Sequence, residues 1–126
     1  MFRKEDSIKA ANQVKLAKEE QDDLLEQIRS SVDEKEVAEA KTLLKSRCGI
    51  LILSVVEKYL ESGLYVTELV RLGEKGLDEA IKKWDIKKKK KYRFAVYATW
   101  FIRAEIHKKL GLPTDVEGYG ELRKEG

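Results

Sequence analysis

Apolar residues recur at helical spacing along most of the chain. Leu24, Leu25 and Ile28 lie three and four apart, so they share one helix face. Ahead of them, Ile8, Ala11, Val14 and Leu16 are sparse, and residues 18–23 are all polar. The pattern predicts a first helix from a cap at Asp6 or Ser7 to about Ser30, its first half an exposed or frayed arm. Residues 30–33 break the pattern. Asp33 suits an N-cap, with Glu34 and Glu36 at the positive end of the next helix dipole. That helix carries Val37, Ala40, Leu43 and Leu44, and runs into residues 50–60, which are apolar almost all round. This stretch is expected to be the central buried helix. Ile and Val also favour strands, so a short strand competes; the charged residues on both sides favour helix.

Ser62 and Gly63 read as a stop, with Gly63 in a left-handed C-cap. Thr67 is expected to cap a helix over residues 68–84, with the stripe Leu69, Val70, Leu77, Ala80, Ile81 and Trp84. Gly73 and Gly76 interrupt it at a cost of about 1 kcal/mol each relative to alanine. Three apart, they share a face, and close approach of another helix explains them. The lysine run 87–91 reads as a loop or frayed turn, and Gly49 as a kink or a change of helix. A final helix spans about 93–110, ended by Gly111 and Pro113. Residues 114–126 read as a tail.

Composition sharpens the fold reading and narrows the function. The 126-residue chain has one proline and is rich in Leu, Lys, Glu and Ala, so an all-α, compact multi-helix domain is expected. Cys48 is the sole cysteine and His107 the sole histidine. That excludes an intramolecular disulfide and argues against zinc, and Cys48 reads as a small buried core residue. No catalytic cluster or phosphate-cradling glycine loop is visible, so neither an enzyme nor a cofactor is expected. The charged N-terminus lacks an apolar leader, and residues 50–56 are too short to span a bilayer. The expectation is a cytoplasmic protein without membrane contact.

Charge is polarised. Residues 86–110 hold nine Lys or Arg against one acid, Glu105, whereas residues 1–35 hold seven against nine. Within the basic end, Tyr97, Trp100 and Phe101 meet on one helix face, with Arg93, Arg103, Lys108 and Lys109 around them. Aromatic rings among cations suit a surface that holds a strand by its phosphates and stacks on its bases. The plainer reading makes Trp84 and Phe94 core residues, with about half of the aromatic patch serving packing.

The residues also resemble region two of bacterial RNA polymerase sigma factors. The resemblance runs from about Glu36 to Lys109. It rests on LILSVVEKY at 51–59, Gly63–Leu64, the glycine-bearing helix 68–84 and YRFAVYATWFIR at 92–103. It implies a region-two-like helical domain over residues 31–112, an N-terminal helical arm over 1–30 and a tail over 113–126. It implies docking of the glycine-bearing helix on the large-subunit coiled coil of core RNA polymerase, through Glu68, Arg71, Glu74 and Asp78. It also implies melting and reading of the promoter −10 region, preferably as single strands. Tyr92, Phe94, Tyr97, Trp100 and Phe101 match the aromatic motif, and Lys87, Lys88 and Arg103 match basic DNA-contacting positions. The chain would act either as one part of a split sigma factor, with a separate subunit supplying the domain that holds the upstream element in this family, or as a minimal sigma factor.

Departures from the family pattern keep a second reading open. Phe101 replaces a tryptophan, Ala95 and Val96 a serine–threonine pair, and Ala104 a base-reading glutamine. Glu105 would repel phosphate. Arg71 and Glu74 stand for glutamine and asparagine. The alternative is a diverged sigma-like interaction module or regulator without promoter reading.

Overall fold

The computed structural model describes residues 4–14 and 16–113. They form helices α1 (Lys4–Asn12), α2 (Lys18–Ser30), α3 (Glu34–Val56), α4 (Val66–Lys83), α5 (Ile86–Lys91) and α6 (Phe94–Leu110), with a 3₁₀ turn at Glu57–Tyr59. The fold is all-α, and no strand occurs among the described residues. The tail expected over residues 114–126 lies outside them.

Several ends follow from local chemistry. The Asp33 carboxylate accepts from the Lys35 N–H at 2.9 Å, capping α3 as expected. Gly63 and Gly111 take positive φ of 97° and 71°, but of the two only Gly111 is a helix C-cap. α3 and the 3₁₀ turn after it end on Glu57 and Leu60 in right-handed conformation, and Gly63 turns the chain three residues later. At Gly111 the left-handed turn lets the Leu112 N–H donate to the His107 carbonyl at 2.9 Å, which closes α6. Other ends differ from expectation. The first helix is two: the Gln13 and Val14 N–H groups donate to Ala10 and Ala11 at 3.1 and 3.3 Å, tightening the end of α1. The connecting chain is held by Gln21, which is buried and donates to the Leu16 carbonyl at 2.8 Å. Thr67 lies inside α4, whose N-cap is Tyr65. The lysine run is a helix, because Asp85 caps it by accepting from the Lys88 N–H at 2.9 Å. α3 runs through Gly49 without changing helix.

The central helix is α6 rather than residues 50–60. In α6 every residue from Phe94 to Ile106 except Val96 is buried. Leu51, Ile52, Val55 and Val56 of α3 are buried too, but Leu53 and Leu60 are 57% and 52% exposed. Ala95, Ala98, Thr99 and Ala104 are short, so α1, α3 and α4 can all pack on α6.

The exposed-arm reading of the first residues fails in the same way. Ser7, Ala10, Ala11 and Val14 are buried. The Ser7 and Thr99 hydroxyls hydrogen-bond at 2.9 Å, and Thr99 Oγ1 donates to the Val96 carbonyl at 2.7 Å. Arg93 donates to Asn12 Oδ1 at 2.7 Å and to the Ala11 carbonyl at 3.0 Å, satisfying an acceptor at the C-terminal end of α1. The two alanines leave little apolar signal in sequence, yet they let backbones approach closely.

The two helix glycines serve close approach, but to different neighbours. A Cβ on Gly76 would sit 2.6 Å from Ile102 Cα and from the Phe101 carbonyl oxygen on α6. A Cβ on Gly73 would sit 2.6 Å from Ile52 Cγ2 on α3. Cys48 is a buried free thiol, and burial pushes its pKa up to about 12.

Candidate nucleic-acid and protein-docking surfaces

Close packing at Gly76 sets the geometry of both candidate surfaces. It turns one face of α4 inward and leaves Arg71, Glu74 and Asp78 exposed, with Glu68 half-buried. Asp78 pairs with Lys45 of α3 at 2.8 Å, and Glu68 with Lys109 of α6 at 3.5 Å. Arg71 and Glu74 make no ion pair among the described residues. Glu105, read as a phosphate-repelling charge, is buried between Lys75 at 3.6 Å and Lys108 at 3.4 Å. The Glu68–Lys109 and Lys75–Glu105 pairs join α4 to the C-terminal end of α6, while Lys45 ties Asp78 to α3.

The aromatic residues form one cluster, and most of it faces inward. Trp84 meets Phe94 edge-on with centroids 5.3 Å apart and Tyr97 at 5.1 Å. Tyr97 lies 4.9 Å from Phe101 and 6.0 Å from Tyr92, and Tyr92 meets Trp100 edge-on at 5.1 Å. Phe94 and Tyr97 are 1% exposed, Phe101 4% and Trp100 8%. Tyr97, Trp100 and Phe101 do lie together as the helical spacing predicts, but they do not present an open stacking face. Helical spacing records which side chains are neighbours, not what covers them. Arg103 is also buried. Trp84, read as core, is the residue that ties the end of α4 into the cluster.

Among the sequence-predicted DNA contacts, Lys87 is exposed, and Lys88 and Tyr92 are half-buried. The Tyr92 N–H donates to the Lys88 carbonyl at 2.8 Å, so the ring sits at the C-terminal end of the lysine helix. Lys88 also pairs with Asp85 at 3.7 Å. The Lys88 N–H holds the Asp85 carboxyl below its usual range against the opposing effect of burial, with the Lys88 and Arg29 charges adding to the lowering. Nearby, Lys83 Nζ stands over the Phe101 ring at 5.8 Å.

His107 is structural in this fold. Its Nε2 lies 2.5 Å from the Tyr59 hydroxyl and its Nδ1 2.8 Å from the Pro113 carbonyl. An Nδ1–H donating to the carbonyl and an Nε2 accepting from the phenol satisfy both contacts. No group of His, Cys, Asp or Glu that could hold a metal occurs among the described residues. No described helix is long and apolar enough to cross a membrane.

The chain is similar to bacterial sigma factors. The chain is 32% identical over 107 residues to RNA polymerase principal sigma factor HrdD of Streptomyces coelicolor, covering 79% of this chain and 31% of that protein. It is 33% identical over 93 residues to RNA polymerase sigma factor SigA of Clostridium acetobutylicum, covering 72% and 22%. Against RNA polymerase sigma-C factor of a Nostoc species it is 45% identical over 56 residues, covering 44% and 13%. This chain carries a sigma-factor-like region. It spans about a third or less of the length of these relatives. No family model matches the chain, and no solved structure matches it.

Proposed function

We propose that the chain is a non-enzymatic, cytoplasmic transcription-initiation protein that binds core RNA polymerase and engages promoter DNA. Residues 31–112 are its working domain and 1–30 its N-terminal helical arm, whose helices α1 and α2 pack on that domain. The observation that carries this reading is the exposed charged face of α4, braced on α6 at Gly76, within a stretch similar to named sigma factors. A helix held on its inner face and charged on its outer face suits docking on another helical surface. Arg71 and Glu74 form the centre of that contact, flanked by Glu68 and Asp78.

DNA engagement falls to the lysine helix and Tyr92. Lysines supply phosphate affinity, and the half-buried Tyr92 ring beside them offers a base a stacking partner worth about 1–3 kcal/mol. Melting and reading of the −10 region, a preference for single strands and supply of the upstream-element domain by a separate subunit complete this reading. Binding of core RNA polymerase by the purified chain, with the charge-reversed pair Arg71→Glu and Glu74→Lys alongside, tests it. The wild type should bind, and the variant should lose at least tenfold in affinity with an unchanged melting temperature. Absence of wild-type binding would end the proposal.

A second reading is favoured by the buried aromatics and by Ala104, which has no group to read a base edge. It is a sigma-like interaction module that occupies polymerase without reading promoters. Polymerase binding combined with no affinity for single-stranded promoter DNA would select it.

A further inference from the structure

The joint between α2, α3 and α4 holds a groove of about 590 Å³. Arg29 of α2, Lys41 and Lys45 of α3 and Lys82 of α4 line it. Among the described residues of its lining, the one carboxylate, Asp78, is paired with Lys45 at 2.8 Å. Lys41 and Lys82 are exposed and make no ion pair among the described residues. Like charges gathered at a helix joint repel, so packing alone does not account for the cluster. Ile28 and Ile81 supply apolar walls between the cations.

Arg29 is held in place. Its Nη1 donates to the Trp84 carbonyl at 2.6 Å. The guanidinium carries further N–H donors, so this anchoring leaves donors in a fixed orientation for an anion. The same bond brings the end of the groove to the residue preceding Asp85, the cap of the lysine helix. Arg29 thus joins the groove to the start of α5.

We infer that this groove is a second nucleic-acid backbone site, taking phosphodiester groups of the strand whose neighbouring part lies on the lysine helix. The inference rests on the reading of the chain as a DNA-binding protein. A backbone carries charge at regular intervals, so one strand can satisfy both the groove and α5. Its sugar carbons meet Ile28 and Ile81 while its phosphates meet the cations. A single bound carboxylate would satisfy the groove but not the continuation.

The test is binding of single-stranded oligonucleotides, across a salt series, to the full chain and to variants with unchanged melting temperature. K41Q with K82Q alters the groove, glutamine at 87–91 alters the lysine helix, and K9Q with K35Q is a control elsewhere. Losing two phosphate contacts should lower the slope of log affinity against log salt by about 1.4, at about 0.7 per contact on single strands. The groove pair should show this loss and the control pair should not. A groove pair that matches the wild type, while the lysine-helix variant loses slope, overturns the groove site and leaves the DNA reading intact. A wild type with no salt-dependent binding overturns both. A groove pair that loses polyglutamate binding but keeps oligonucleotide binding also overturns the inference, because the groove then takes an acidic protein segment.

Discussion

Helices α4 and α6 lie against each other, and both carry the sigma-like signature, yet the fold uses them in opposite ways. α4 buries Leu69, Gly73, Gly76, Leu77, Ala80 and Ile81 and keeps a charged outer face. α6 buries nearly its whole circumference, from Phe94 to Ile106. A motif residue on α4 can therefore act by direct contact. A motif residue in the middle of α6 acts first on stability, and the exposed positions of this region are at the C-terminal end of that helix and on the lysine helix before it.

Variants can break or sharpen this contrast, beginning with the largest effect. Tyr97→Ala removes a ring that is 1% exposed and touches Trp84, Tyr92 and Phe101. It should cost about 3–5 kcal/mol in denaturant unfolding. A loss below about 1 kcal/mol would contradict burial of the α6 aromatics, since surface substitutions lie within about 0.5 kcal/mol.

Gly76→Ala comes next, because its Cβ meets α6 backbone at 2.6 Å and backbone cannot rotate away. A cost of about 1–3 kcal/mol is expected, as for other overpacked sites. Gly73→Ala should cost less, because its Cβ meets the Ile52 side chain, which can shift. Equal melting temperatures for the two variants would show that the α4–α6 joint is looser than described.

Tyr92→Ala addresses the half-buried end of the cluster, where the ring packs on Tyr97 and Trp100. It should cost less in unfolding than Tyr97→Ala and remove about 1–3 kcal/mol of single-strand binding, the value of one stacked base. An unaffected oligonucleotide affinity would leave α6 with no stacking role at its N-terminal end.

The smallest effect concerns acid. The Asp85 carboxyl is held below its usual value of 3.8, so its capping contribution is complete above about that pH. The contribution is lost as pH falls further, through the lowered folded-state value. Asp85→Asn should remove this increment of acid sensitivity while leaving stability near neutral pH little altered. Comparing unfolding of the two proteins between neutral pH and pH 2 checks it, and identical acid profiles would remove Asp85 from the account.

Much of this protein was determined locally and could be read from the chain. Helical spacing, the Asp33 cap and left-handed Gly63 and Gly111 depend on atoms within a few residues of each other. So does the outward charge of α4, since a strong apolar stripe leaves the opposite face polar. The resemblance to sigma factors rests on such short motifs too, and the matches to HrdD and SigA agree with it. Burial of the aromatic motif was decided by tertiary structure. Whether Tyr97 faces solvent depends on Trp84 and on the chain that packs around α6, not on its own helix. α1 contributes through small residues, Ala10 and Ala11, and through bonds such as Ser7 to Thr99, 92 positions apart. The basic groove is likewise assembled from three helices, none of which carries the cluster alone. Periodicity shows that a face exists; what covers that face is decided by which distant segments can come close enough to pack.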